Sequence, residues 1–249
     1  MNDTPTAHSW VFYRFGLLVT GRGEEQFLPS LMRSLTSTGN CTFQVIGRIH
    51  QRSPTTSPKK KLRMVGSGKA IPDKDTSEIG LPARNYLNRH PDSFVILVDD
   101  LEYDRRELHR ETYERYRAAL DNVLPKSCHH RASVHFLVHM LEAYYFAHAD
   151  TINTVLGTDL PDFDGDVETI RHPKTKLKQA KPGFDELADG RKIVEQLDLD
   201  KILDNPETCA SLRTLFKWCW RAKREDYSDR FQLRHGACSP VTKQQIETL

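Results

Sequence analysis

The stretch Ser93-Phe94-Val95-Ile96-Leu97-Val98-Asp99-Asp100-Leu101-Glu102-Tyr103-Asp104 constrains the fold of this 249-residue chain more than any other part of it. Five successive large apolar residues, three of them β-branched, read as a strand buried on both faces, and such strands occur mainly in parallel sheets covered by helices. The run stops at a group of acids. Ligands of open α/β sheets bind outside the carboxyl ends of the strands, so Asp99, Asp100, Glu102 and Asp104 stand where chemistry is usually placed. Carboxylates this crowded repel one another, and a bound divalent cation relieves the repulsion. A plainer reading has Asp99 and Asp100 ending the strand and Glu102 and Asp104 capping the next helix.

The rest of the chain supplies the partners such a strand needs. Trp10 to Val19 has the aromatic and β-branched composition of a strand and runs into Thr20-Gly21-Arg22-Gly23-Glu24-Glu25. Its two glycines suit a tight turn into a helix, and Glu24 and Glu25 suit the helix's first turn, where the dipole favours negative charge. Phe27, Leu28, Leu31, Met32 and Leu35 then recur at the spacing of one buried helical face. Cys41 to Ile49 reads as a second strand, Ile79 to Asn88 as a short helix, Arg105 to Leu124 as an amphipathic helix stopped by Pro125, and Arg131 to Val138 as a further strand. In the helix expected over His139 to His148, Glu142 is surrounded by Met140, Leu141, Ala143, Tyr144, Tyr145 and Phe146. Burying a lone carboxylate there would cost several kcal/mol, so Glu142 must be paired, hydrogen-bonded or metal-bound.

Beyond Asp150 the pattern turns helical, with helices expected over Thr151–Leu156, Phe184–Leu197 and Ser211–Ala222. The reading is a flexible N-terminus over 1–9, an α/β domain over 10–150 with a mainly parallel sheet flanked by helices, and a helical extension over 151–249 packed on it. Residues 50–75 are rich in Ser, Pro, Thr, Gly and Lys and read as a long basic loop. Within it, Val65-Gly66-Ser67-Gly68-Lys69 only faintly resembles a phosphate-cradling loop.

Net charge is +2, so the overall field argues for no particular partner. Basic residues nevertheless gather at Lys59–Arg63, Lys174–Lys181 and Arg221–Arg224, away from the acids, a separation that suits a polyanion held beside a carboxylate-bound metal and equally suits solvated faces. Five scattered cysteines without a CxxC pair indicate neither a disulfide framework nor a zinc ribbon and fit a reducing compartment. No apolar run reaches the length of a membrane span and the first residues lack the pattern of a signal peptide, so a cytoplasmic protein without membrane contact is expected.

Four short segments, in order, resemble a TOPRIM domain, and in particular small stand-alone TOPRIM-like proteins related to the OLD nucleases and encoded beside ABC-type ATPases in anti-phage loci. Val19-Thr20-Gly21-Arg22-Gly23-Glu24-Glu25-Gln26-Phe27 is similar to the family's Glu-Gly-x-Thr-Glu-x-x-Phe turn, and Asp100-Leu101-Glu102 to its Asp-x-Asp. His139-Met140-Leu141-Glu142-Ala143-Tyr144 is similar to its Met-x-Glu-Ala-Trp helix, and His172-Pro173-Lys174-Thr175-Lys176-Leu177 to its Pro-x-x-Lys segment. Thr20 replaces the family's first Glu, and Glu102 its second Asp. The resemblance implies Mg²⁺ or Mn²⁺ held by Glu24, Asp99, Asp100, Glu102 and Glu142, and metal-dependent cleavage of nucleic acid, DNA ahead of RNA. Glu24, Asp100, Glu102, Glu142, Lys174 and Lys176 would carry the chemistry, with an ABC/SMC-type ATPase as partner and a homo-oligomer compatible with it. Loss of the first Glu implies either replacement by Glu24 or a catalytically degenerate subunit that binds nucleic acid or the ATPase.

Overall fold

The computed structural model describes residues 11–52, 72–224 and 230–249, so the N-terminal segment 1–9 and most of the basic loop, with Lys59–Arg63 and Val65–Lys69, lie outside the described residues. Four strands, β1 (Tyr13–Val19), β2 (Cys41–Arg48), β3 (Ser93–Leu101) and β4 (Ala132–Val138), form one sheet in the order β2-β1-β3-β4. All three neighbouring pairs are parallel, as the composition of β3 requires. Parallel neighbours need crossovers. These are α1 (Arg22–Leu31) and α2 (Arg33–Thr36) after β1, α3 (Leu81–Arg89) after β2 and α4 (His109–Asp121) after β3. After β4 come α5 (Ala149–Leu156), α6 (Pro173–Ala180), α7 (Ala188–Gln196), α8 (Leu199–Ile202), α9 (Ala210–Ala222) and α10 (Gln244–Glu247).

Alternation along the strands divides the apolar side chains between two cores, because successive residues of a strand point to opposite faces. Phe15, Leu17, Val19, Ile96 and Val98 face a layer containing Phe27 and Leu28 of α1 and Leu215 and Trp218 of α9. Leu18, Val95 and Leu97 face Ala83 and Leu87 of α3 and Tyr116 and Leu120 of α4. Trp218 meets the rings of Phe15 at 6.4 Å and Phe94 at 5.8 Å edge-on. The helices beyond residue 150 therefore share a core with the sheet, and the boundary at 150 divides the sequence without dividing that core.

Three local expectations are corrected. The first strand begins at Tyr13, leaving Val11 and Phe12 exposed ahead of it. The helix expected from Arg105 starts as a 3-10 turn, Tyr103–Leu108, before α4. Over 139–148 the chain forms a 3-10 helix, Leu141–His148, entered through two left-handed residues, His139 (φ 56°) and Met140 (φ 80°). Such conformations cost about 1–3 kcal/mol each for non-glycine residues and persist where the surroundings impose them. Here the amide of His139 donates to the carbonyl of Leu101 (2.9 Å), which draws the end of β4 toward the end of β3 and turns the chain so that Glu142 is carried inward.

Candidate functional site

The strand order reverses between β1 and β3, because the chain leaves β1 toward β2 on one side and reaches β4 from β3 on the other. A crevice opens at such a switch point, outside the carboxyl ends of the strands. Glu24 arrives there from the first turn of α1, Asp100 from the end of β3, and Glu142 from the turn after β4. All three are buried, with exposures of 3%, 6% and 7%.

Gly21 makes the room for the first of them. Its backbone, at φ −115° and ψ 164°, is ordinary extended chain open to any residue. A Cβ at Gly21, however, would stand 2.0 Å from Oε2 of Glu24, so the missing side chain is the space into which that carboxylate folds.

Asp99 and Asp100 are adjacent in sequence and part company in space. On β3, Asp99 falls in the alternation of Val95 and Leu97, and Asp100 in that of Ile96 and Val98, so they point to opposite faces. Asp99, fully buried, is held from three sides. Arg105 grips it in bidentate fashion (Nη1 to Oδ1 3.1 Å, Nη2 to Oδ2 2.6 Å), Tyr116 donates its hydroxyl (2.9 Å), and Thr20 donates Oγ1–H to Oδ1 (3.0 Å). The same Thr20 oxygen accepts from the backbone N–H of Asp100 (3.1 Å). Thr20 is thus a brace between β1 and β3. The sequence signal for this split was the period of two, which the density of acids obscured.

On the other face the acids are poorly compensated. Oε2 of Glu24, Oδ1 of Asp100 and Oε2 of Glu142 are buried without a hydrogen-bond partner. Burial pushes the Glu24 carboxyl up from 4.5 to about 7, with Glu142 and Asp99 adding to the rise. Burial first, then Glu24 and Glu142, pushes Asp100 well above the ordinary range, and burial also raises Glu142. Lys174 Nζ lies 3.5 Å from Glu142 and 3.2 Å from Glu186, so its single charge is shared. Its ammonium is held protonated by Glu142, Asp100 and Glu186 against the opposing effect of burial. Tyr145 is buried beside the same acids, whose negative field adds to burial in raising its phenol well above the ordinary value.

The other expected residues lie elsewhere. Glu102 and Asp104 are exposed on the turn after β3, and Lys176 is exposed with its ammonium 5.2 Å from the ring centre of Phe163. Lys223, in the basic run near 221–224, is buried and donates to Thr38 (3.1 Å), so that run is partly structural. Among the described residues no set of three His, Cys, Asp or Glu side chains is already gathered to hold a metal ion. Glu24, Asp100 and Glu142 nonetheless fit a hard cation in donor chemistry, since each offers a carboxylate oxygen without a partner in a shared negative field.

Fold and site together define an α/β protein with a parallel sheet and a group of buried carboxylates at its switch point. The chain belongs to the family described as a domain of unknown function (DUF4276), whose model matches residues 19–218 and so spans Glu24, Asp100, Glu142 and Lys174. No curated protein and no solved structure matches the chain. No helix among the described residues is long and apolar enough to cross a membrane.

Proposed function

We propose that this crevice holds Mg²⁺ or Mn²⁺ and that the protein cleaves phosphodiester bonds of nucleic acid, DNA ahead of RNA, in the manner of a TOPRIM nuclease. The observation that carries this reading is the set of three buried carboxylate oxygens without partners, contributed by three elements to one crevice and faced by one shared lysine. Unpaired buried carboxylates cost several kcal/mol, and a fold keeps them where something absent from the bare chain neutralises them. Glu24, Asp100 and Glu142 would hold the ion. When bound, it would supply polarisation of the phosphate and activation of a water. Lys174 would stabilise charge on the phosphoryl oxygens. Asp99 acts from behind, by fixing Thr20 and through it the backbone of Asp100. Glu102 and Lys176 are exposed outside this centre, and only the cation of Lys176 suits a phosphate backbone.

Asp100→Ala is expected to abolish Mn²⁺-dependent nicking of plasmid DNA, whereas Glu102→Ala retains most of it. Wild-type rates in the Asp100 variant would overturn the assignment. Gly21→Ala is expected to fold normally and to weaken Mn²⁺ binding by about tenfold or more, because the methyl group displaces Glu24. Calorimetric titration with Mn²⁺ measures this, and an unchanged affinity would remove Glu24 from the ligand set.

Thr20 favours a second reading. A hydroxyl engaged with Asp99 and the backbone of Asp100 holds the crevice together without adding a ligand, which suits a non-catalytic subunit serving an ABC/SMC-type ATPase in defence. That reading expects no Mn²⁺ heat in the titration and co-purification with the ATPase. The role in anti-phage defence, like the ATPase partner, follows from the resemblance and stands as a proposal.

A further inference from the structure

On the far side of α6 from Lys174 lies a cavity of about 370 Å³. Phe163 and Ile170 form its apolar wall, and Arg171, His172 and Lys176 supply its basic side, with Thr169 and Thr175 between. Its lining, drawn from the described residues, contains cationic groups and no carboxylate, although acids crowd the neighbouring crevice. The ring of Phe163 is half-buried and carries the ammonium of Lys176 over its face at 5.2 Å. Tyr103, on the turn that follows Asp100, extends the cavity's edge toward the acidic crevice: its ring lies 5.0 Å from the guanidinium of Arg171 and 5.8 Å from the ring of His172.

Helical geometry links the two places. Residues 174 and 176 are about 200° apart around α6 at 3.6 residues per turn, so one lysine reaches the acids and the other the aromatic wall. A strand crossing the start of α6 would meet both.

Resting on the nucleic-acid reading above, we infer that this cavity receives one unpaired base of a single-stranded segment, stacked on Phe163, with the flanking phosphates on Arg171 and Lys176. An aromatic face accepts any base and cations track the backbone, which is the chemistry of single-strand binding without sequence preference. The base takes the place of Lys176 on the ring, and the released ammonium moves to the adjacent phosphate. A paired base could not enter, so the site selects single-stranded, frayed or flipped substrate.

The test is fluorescence anisotropy with a labelled oligothymidylate in EDTA, where cleavage plays no part. Wild-type protein is expected to bind it at least tenfold tighter than a duplex of the same length. Phe163→Leu, which keeps an apolar side chain against the core, is expected to weaken binding about tenfold. Arg171→Glu, at an exposed position that leaves packing intact, should weaken it at least as much at low salt and make the dependence of log affinity on log salt shallower by about one or more. Wild-type affinity in both variants, or equal affinity for duplex and single strand, would overturn the proposal. Phe163→Leu should bind Mn²⁺ with wild-type affinity in a calorimetric titration without EDTA. Loss of cleavage chemistry and loss of this base site therefore give different results.

Discussion

In the absence of divalent cations, Asp100→Asn is expected to make the protein more stable than wild type at pH 8, and to remove the stabilisation that Mn²⁺ confers on the wild type. Both effects follow from carboxyls whose folded-state values are raised. Below the unfolded values, 3.8 for Asp100 and 4.5 for Glu24 and Glu142, the buried acids are protonated in both states and no penalty applies. As pH rises through the interval up to about 7, where Glu24 titrates in the folded protein, the unfolded chain releases protons that the folded chain retains. Stability therefore falls with rising pH across this window. For Glu24 alone, the rise from 4.5 to about 7 corresponds to a loss on the order of 3 kcal/mol once the pH exceeds both values. Asp100 is raised by the same causes and by Glu24 itself, so an uncharged amide at position 100 relieves its own burial and part of its neighbours'. Saturating Mn²⁺ stabilises only a chain that binds it, by about 2.7 kcal/mol at a hundred times the dissociation constant. Thermal melts at pH 5 and pH 8, with EDTA and with Mn²⁺, read all of this. A wild-type melting temperature that is flat from pH 5 to pH 8 in EDTA, or an Asp100→Asn variant that Mn²⁺ stabilises like wild type, would show that these acids are otherwise satisfied.

Arg213→Met is expected to cost about 4 kcal/mol or more, the largest loss of stability from a single side chain remote from the crevice. Arg213 is fully buried, and its guanidinium donates to six carbonyls: Phe231 from Nε (3.1 Å), Pro206 (3.2 Å), Thr208 (2.6 Å) and Ala237 (3.2 Å) from Nη1, and Leu203 (3.1 Å) and Asn205 (2.7 Å) from Nη2. It gathers the loop before α9 and the segment after it around one point, and Gly236 is packed so closely that a Cβ there would lie 2.5 Å from Nε. Burial lowers the guanidinium from its ordinary value, yet five N–H groups matched to fixed carbonyl dipoles keep it charged. Methionine fills similar volume and strands those carbonyls, each worth about 1–3 kcal/mol where no water reaches it. Urea denaturation followed by circular dichroism measures the change. A loss below about 1 kcal/mol would mean that the carbonyls find other donors.

The residues of the crevice were legible in different degrees. Asp100 could be placed at the sheet's carboxyl edge because it ends a strand that composition alone identifies, whereas Glu24 was legible as a first-turn helix residue and joined Asp100 only through the resemblance. Glu142 could be singled out because a carboxylate among Tyr144, Tyr145 and Phe146 demands compensation wherever it lands. Lys174 could be named only through the resemblance, since its pairing with Glu142 and Glu186 depends on where α6 docks. Asp99 and Glu102 were grouped with Asp100 because they are near it in sequence, and proximity along a strand is misleading when alternate residues face opposite layers.

The amino-acid order by itself determined an α/β chain built on β3, strands ending in acids and glycine turns, and the buried stripes of the helices, because periodicity and turn chemistry are local properties. Only the tertiary structure decided which acids share a pocket, that Thr20 braces Asp99 to β1, that Arg213 centres the C-terminal segments, and that an aromatic, cationic cavity adjoins the crevice. These depend on how faces and helix ends meet across many residues of separation, and no local pattern encodes that meeting.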